Sequence, residues 1–192
     1  MLTKEQLDHL WGIEIACQNC IRAGKYFYAV SDSRTNAWAF TQNCYGGICI
    51  INWCQVFGGN DEPTLYSKLF APGTITTMTK DIVAERIRTS VSMTKRQYNS
   101  FRNGVTYARN KFFVHYEYSV KAPPKFPNID ILILTSLEMR SIIRDLVHNE
   151  TASNQTDLKD FVKFITHHTN VRYLSEIESG VKFLRYSAVP RR

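Results

Sequence analysis

The chain has 192 residues and a mass of 22.2 kDa, the size of one domain and enough to bury a core without disulfide or metal staples. Nine glycines and six prolines are fewer turn residues than an all-β sandwich of this length needs, so long helices are expected. Hydrophobic residues at 44% and charged residues at 21% exclude a disordered polymer, and a formal net charge of +7 favours polyanionic partners.

Leu10, Ile13, Cys17, Cys20, Gly24 and Phe27 recur at steps of three and four, which predicts an amphipathic helix over 3–30. After a polar stretch at 31–36, Phe40, Cys44, Gly47, Ile51 and Cys54 mark a second helix that ends at Gly58-Gly59. Gly24, Gly46 and Gly47 are expected to let these two helices approach closely. A short helical piece is expected over 61–70, with Pro63 suited to a first turn. Thr79 is placed to cap a third helix through about Val91. Thr94-Lys95-Arg96-Gln97 has capping-box spacing and opens a fourth helix, with Tyr98, Phe101, Val105, Ala108, Phe112 and His115 on its apolar seam.

Pro123-Pro124-Lys125-Phe126-Pro127 stops that helix, and Asn128 can cap a fifth. Its inner face reads Ile129, Leu132, Ser136, Met139, Ile143, Leu146. A polar linker at 151–156 precedes a further helical pattern, which begins with Leu158, Phe161, Val162 and Ile165 and resumes through Leu174, Ile177, Val181 and Leu184. No hairpin signal or 20–50-residue repeat competes, so the expectation is one all-α domain over 1–192, a bundle of five to seven helices.

Lys4, Glu5 and Asp8 interrupt the first dozen residues, and the most apolar stretch, 37–54, is broken by Gln42, Asn43 and Asn52. Neither a secretory signal nor a membrane span is expected. Five cysteines, an odd number, then suggest reduced thiols in a cytoplasmic protein. Cys17 and Cys20 lie on the first apolar stripe, where reduced cysteine acts as a small hydrophobe, and no second pair has zinc-ligand spacing. His167-His168 point in different directions on a helix, and no glycine-rich phosphate loop or paired acidic cluster is present. No metal and no cofactor is expected.

Between residues 78 and 125, ten basic side chains face three acidic ones, so this quarter of the chain carries the whole positive excess. Such a concentration is either a solvated positive face or the footprint of a polyanion. The fourth helix ends in Arg109-Asn110-Lys111-Phe112-Phe113-Val114-His115. A histidine that titrates near neutrality can carry out acid–base work, and an arginine fork can grip phosphate oxygens while staying charged. Six residues of α-helix rise about 9 Å and leave Arg109 and His115 about 120° apart in azimuth, so they do not share a row. Two blander readings stand beside the chemical one: His115 as a core histidine on the apolar seam, and Arg102 and Arg109 as an ordinary solvated stripe.

Arg109-Asn110 followed by four residues and His115 resembles the signature of the HEPN superfamily, an Arg, usually a polar second residue, and a His four to six residues later. Trp53-Cys54-Gln55-Val56-Phe57-Gly58 and Glu62-Pro63-Thr64 resemble the abortive-infection U branch, so the likeness spans roughly 40–150. It implies a HEPN-like helical bundle that forms a homodimer, with the two chains' motifs meeting across the interface. It further implies a metal-independent endoribonuclease of a phage-defence or toxin–antitoxin type system, with a possible antitoxin protein as partner, leaving 2′,3′-cyclic phosphate ends. Arg109 would hold the scissile phosphate, His115 would move protons and Asn110 would orient them, while Lys95, Arg96, Arg102 and Lys111 would attract RNA. The alternative is a catalytically silent HEPN module that binds a nucleotide, RNA or a partner protein. In one toxin branch a tyrosine two residues after the His is nucleotidylated; here that position is Glu117, a departure from the pattern.

Overall fold

Threonine hydroxyls start three of the helices. Thr3 and Gln6 form a reciprocal capping box at the head of α1 (Lys4–Ala29), and Thr94 and Gln97 repeat it at the head of α5 (Lys95–Ala108). Thr79 accepts from the Ile82 backbone N–H to open α4 (Lys80–Ser90). Asn128 does the same for the Asp130 N–H at 2.9 Å, just ahead of α6 (Ile129–Glu150). The computed structural model describes residues 2–30, 36–59, 65–70, 78–114, 126–150, 159–163 and 165. The other helices are α2 (Asn36–Phe57), the single turn α3 (Tyr66–Leu69) and a π-helical turn, Arg109–Val114, that continues α5. Residues 159–163 and 165 are also helical, so the described residues are all-α and contain no strand. None of the described helices is long and apolar enough to cross a membrane.

The link from α4 to α5 is a tight one. Met93 N–H reaches back to Arg88 O at 3.0 Å and Ser92 N–H to Thr89 O at 3.0 Å, the paired bonds of a Schellman motif. Ser92 takes the left-handed position there with φ 53°, where glycine is the usual occupant.

Three long helices make the centre. The partners Cys20–Cys49 and Tyr26–Tyr45 run in opposite senses along α1 and α2, so these two helices are antiparallel. Glu14–Arg140 and Tyr28–Asp130 show the same relation between α1 and α6. Trp53 and Phe57 of α2 fill the space beneath α6 and α5: the indole N–H donates to Thr135 Oγ1 at 2.8 Å, and Phe101 stands edge-on to Trp53 at 5.8 Å. On the other flank of α6, Arg86 of α4 donates to Glu138 at 2.8 Å and to Asp145 at 2.6 Å. Phe161 of the later helical segment is buried against Trp11, ring centres 5.4 Å apart.

All six residues expected on the inner face of the fifth predicted helix (α6) are buried. The second predicted helix needs correcting. Phe40 is 70% exposed and Cys44 is exposed, whereas Gly47 and Cys54 are buried as expected, together with Gly46, Cys49, Ile50, Trp53, Val56 and Phe57. Its 22 residues carry no charge, and its few polar residues leave almost no hydrophobic asymmetry between faces, so spacing could not single out a face. Gly24 comes closest to α6 rather than α2. A Cβ there would lie 2.7 Å from Ile133 Cδ1, so the glycine makes room for α6. Gly46 does serve the α1–α2 approach, since a Cβ there would lie 3.2 Å from the Phe27 ring of α1, and it also makes room for the Phe126 ring, which stacks on Phe27 at 5.5 Å.

Candidate nucleic-acid interface

Lys95, Arg102 and Arg109 recur at seven-residue steps, so along α5 they form one row, drifting only about 20° per step and spanning about 20 Å. The row flanks the buried seam of Tyr98, Val105 and Ala108. Lys95 is exposed, and Arg102 and Arg109 are half-buried, their stems covering the edge of the core. Arg96 is exposed on the first turn, off this row, and Lys111 is half-buried in the π turn. The structure thus spreads the basic residues along one helix rather than gathering them in a single pocket.

At the C-terminal end of the row, Arg109 Nε donates to Asn110 Oδ1 at 2.9 Å. The neighbouring side chain therefore fixes the plane of the guanidinium, leaving the charge in place. Arg109 sits where α5 passes into the π turn, a rare winding that is frequent at functional sites. The turn packs against α2, and the Cys54 thiol of α2 lies within the field of Arg109. Burial pushes that thiol up to about 12, while Arg109 and a hydrogen bond with Thr106 pull the other way. Wider winding over Arg109–Val114 also replaces the α-helical arithmetic on which the expected 120° offset rests. His115, Tyr116, Glu117 and Tyr118 lie outside the described residues, as do Glu62-Pro63-Thr64 and His167-His168. Of the three expected catalytic residues, Arg109 and Asn110 are in contact.

Sequence reasoning assigns Tyr98 to the apolar seam and stops there. The residue is 7% exposed, and its hydroxyl has no hydrogen-bond partner among the described residues. Burial raises the Tyr98 phenol, the neighbouring Tyr66 phenol raises it further, and Arg102 one turn along opposes both. Tyr66, also buried, is raised by burial and lowered by Arg102 and Arg88.

Cys20 and Cys49 place their sulfurs 3.4 Å apart between α1 and α2, both fully buried. The Cys49 thiol is held well above its ordinary value by its hydrogen bond with Cys20 and by burial. Burial likewise raises Cys17, with Glu14 adding to it. Protonated, desolvated thiols are poor nucleophiles and poor ligands. Among the described residues no three metal-ligating side chains converge. Comparison of the chain with protein-family models, with curated proteins and with solved structures finds no match.

Proposed function

We propose that the chain is a HEPN-type, metal-independent endoribonuclease of a phage-defence or toxin–antitoxin type system. The observation that carries the reading is the Arg109–Asn110 pair at the junction of a basic α-helix and a π turn. In this reading Arg109 grips the non-bridging oxygens of the scissile phosphate and Asn110 holds the guanidinium plane. The 2′-hydroxyl of the substrate loses its proton to a general base and attacks phosphorus. The P–O5′ bond breaks, the leaving 5′-oxygen takes up a proton, and a 2′,3′-cyclic phosphate remains. His115 supplies the acid–base work. Two chains pair so that both motifs contribute to one composite site, and the Lys95–Arg102–Arg109 row draws in single-stranded RNA, where the 2′-hydroxyl is free to align.

The test is incubation of pure protein with total RNA, with and without EDTA, beside Arg109→Ala and His115→Ala. Cleavage that survives EDTA and is lost in both variants supports the reading. Variants that cut like wild type overturn it. RNA retention without cleavage in any sample replaces it with the silent HEPN module.

A further inference from the structure

Phe40, Cys44 and Ile48 follow one another at steps of four along α2, and all three are exposed. Ile51, half-buried, continues the row. Thr41, Cys44, Ile48 and Ile51 stand three, four and three apart, the 3.5-residue rhythm of a seam that packs against a second helix. Down the helix axis this seam lies opposite Gly46, Ile50, Trp53 and Phe57, through which α2 enters the core. Asn52, beside the seam, turns its amide back to donate to Ile48 O at 2.8 Å, so that donor is met within the helix. Charge says what covers the row. Among the described helices α2 is the one without any Lys, Arg, Asp or Glu, in a chain of net charge +7. Two such copies repel wherever their basic surfaces face. A contact about a two-fold axis also sets side chains beside their own mates, so it meets least repulsion where the face carries no charge. An acidic partner gains no attraction at α2 and is drawn instead to the Lys95–Arg102–Arg109 row.

We propose that the Thr41–Cys44–Ile48–Ile51 seam of α2 is where a second copy of this chain docks, the two α2 helices lying parallel about a two-fold axis. The orientation rests on the ribonuclease reading; the choice of face does not. α5 meets α2 through the Phe101–Trp53 contact and through a hydrogen bond between Thr106 and Cys54, so the π turn starts beside the C-terminal part of α2. An axis parallel to α2 keeps every residue level with its mate. The two Arg109–Asn110 pairs then come out at one height on the flanks of one seam, as a composite site needs. An axis crossing α2 between Cys44 and Ile48 instead carries the two π turns toward opposite ends of the pair. The seam from Thr41 to Ile51 is only about 15 Å long, a small contact, so dissociation in the micromolar range is expected.

The experiment is sedimentation velocity of the full chain from micromolar to submillimolar concentration. Wild type should show a monomer–dimer equilibrium. Ile48→Glu sets like charges across the axis and should raise the dissociation constant roughly a hundredfold. Ile48 is exposed, so this variant should keep the Tm of dilute wild type. Orientation is read with a short bismaleimide, applied to Cys44, the exposed thiol, and separately to Ile51→Cys in a Cys44→Ser background. A parallel pair cross-links at both positions, because each faces its own mate. Failure at either position overturns the parallel pairing. A wild type that stays monomeric throughout, or a dimer that Ile48→Glu leaves intact, overturns the seam. Where the Tm of a monomeric wild type also falls with Ile48→Glu, the chain's own residues cover the row. RNA cleavage is scored in the same samples. Its loss in Ile48→Glu, with RNA retention kept, shows that the enzyme works as this pair. A wild type that dimerises through the seam without cutting RNA upholds the seam and fails the ribonuclease reading, and one that cuts RNA as a monomer does the reverse.

Discussion

Arg140 donates from Nε to Glu14 Oε1 at 2.7 Å across the α1–α6 interface, and the Glu14 side chain is 2% exposed. Gln18 adds a second donor to the same oxygen at 2.9 Å. Losing one partner of such a pair strands a buried charge. Arg140→Met should therefore lower stability by about 3–5 kcal/mol, whereas Glu14→Met with Arg140→Met should return to wild-type stability or exceed it. Urea unfolding of the two variants checks this. A double variant no more stable than the single one would contradict it.

The indole of Trp53 depends on one acceptor. Thr135→Val keeps the shape of the side chain but leaves the buried N–H without its 2.8 Å partner, and the expected loss is about 1–3 kcal/mol. Trp53→Phe in the same background should then cost less than it does alone, which a double-mutant cycle would measure.

Ser92 holds φ 53° in the α4–α5 turn, a region costly for any residue with a Cβ. Ser92→Gly should stabilise the protein by up to about 1 kcal/mol with the Schellman bonds preserved. A fall in Tm would show that the serine side chain has a use beyond filling the turn.

Alkaline pH should destabilise the fold. The folded-state thiol of Cys54 is raised from 9.0 to about 12, chiefly by burial. The unfolded chain therefore releases that proton first, so the contribution is whole below pH about 9 and drains away between about 9 and 12. Cys17 and Cys49 shift in the same direction. Unfolding free energies at pH 8.0, 9.5 and 10.5 should fall in that order, and Cys54→Ala should flatten the decline. In native protein at pH 7.5, maleimide should label Cys44, the exposed thiol, and spare Cys17, Cys20, Cys49 and Cys54.

What was legible in the sequence depended on contrast between faces. In α6, charged and polar residues alternate with apolar ones, so the buried face from Ile129 to Leu146 could be read directly. Threonine and asparagine caps were equally plain, because Thr79, Thr94 and Asn128 each precede the helix they satisfy. In α2 the contrast vanishes, and Phe40 and Cys44 took core positions that Trp53 and Phe57 actually hold. The glycines were recognised as points of close approach, but what approaches Gly24 lies more than a hundred residues away in the chain. The same holds for the candidate site. Adjacent Arg109 and Asn110 were visible as a motif, whereas the π winding beneath them and its packing against α2 depend on tertiary structure.

The long reach of α6 has a consequence for how the protein is made. Its bonds to the first two helices close loops of 126, 102 and 82 residues, through Arg140, Asp130 and Thr135. Roughly ninety residues separate the end of α2 from the end of α6, which at about 5–20 residues per second is roughly 5–20 s of synthesis. Throughout that interval the nascent α1–α2 hairpin lacks its third wall. Glu14 is still hydrated, the Trp53 N–H faces solvent, and the thiols of Cys17 and Cys20 are open to attack. Birth is thus when these cysteines are most vulnerable to oxidants, and arrival of α6 ends the exposure.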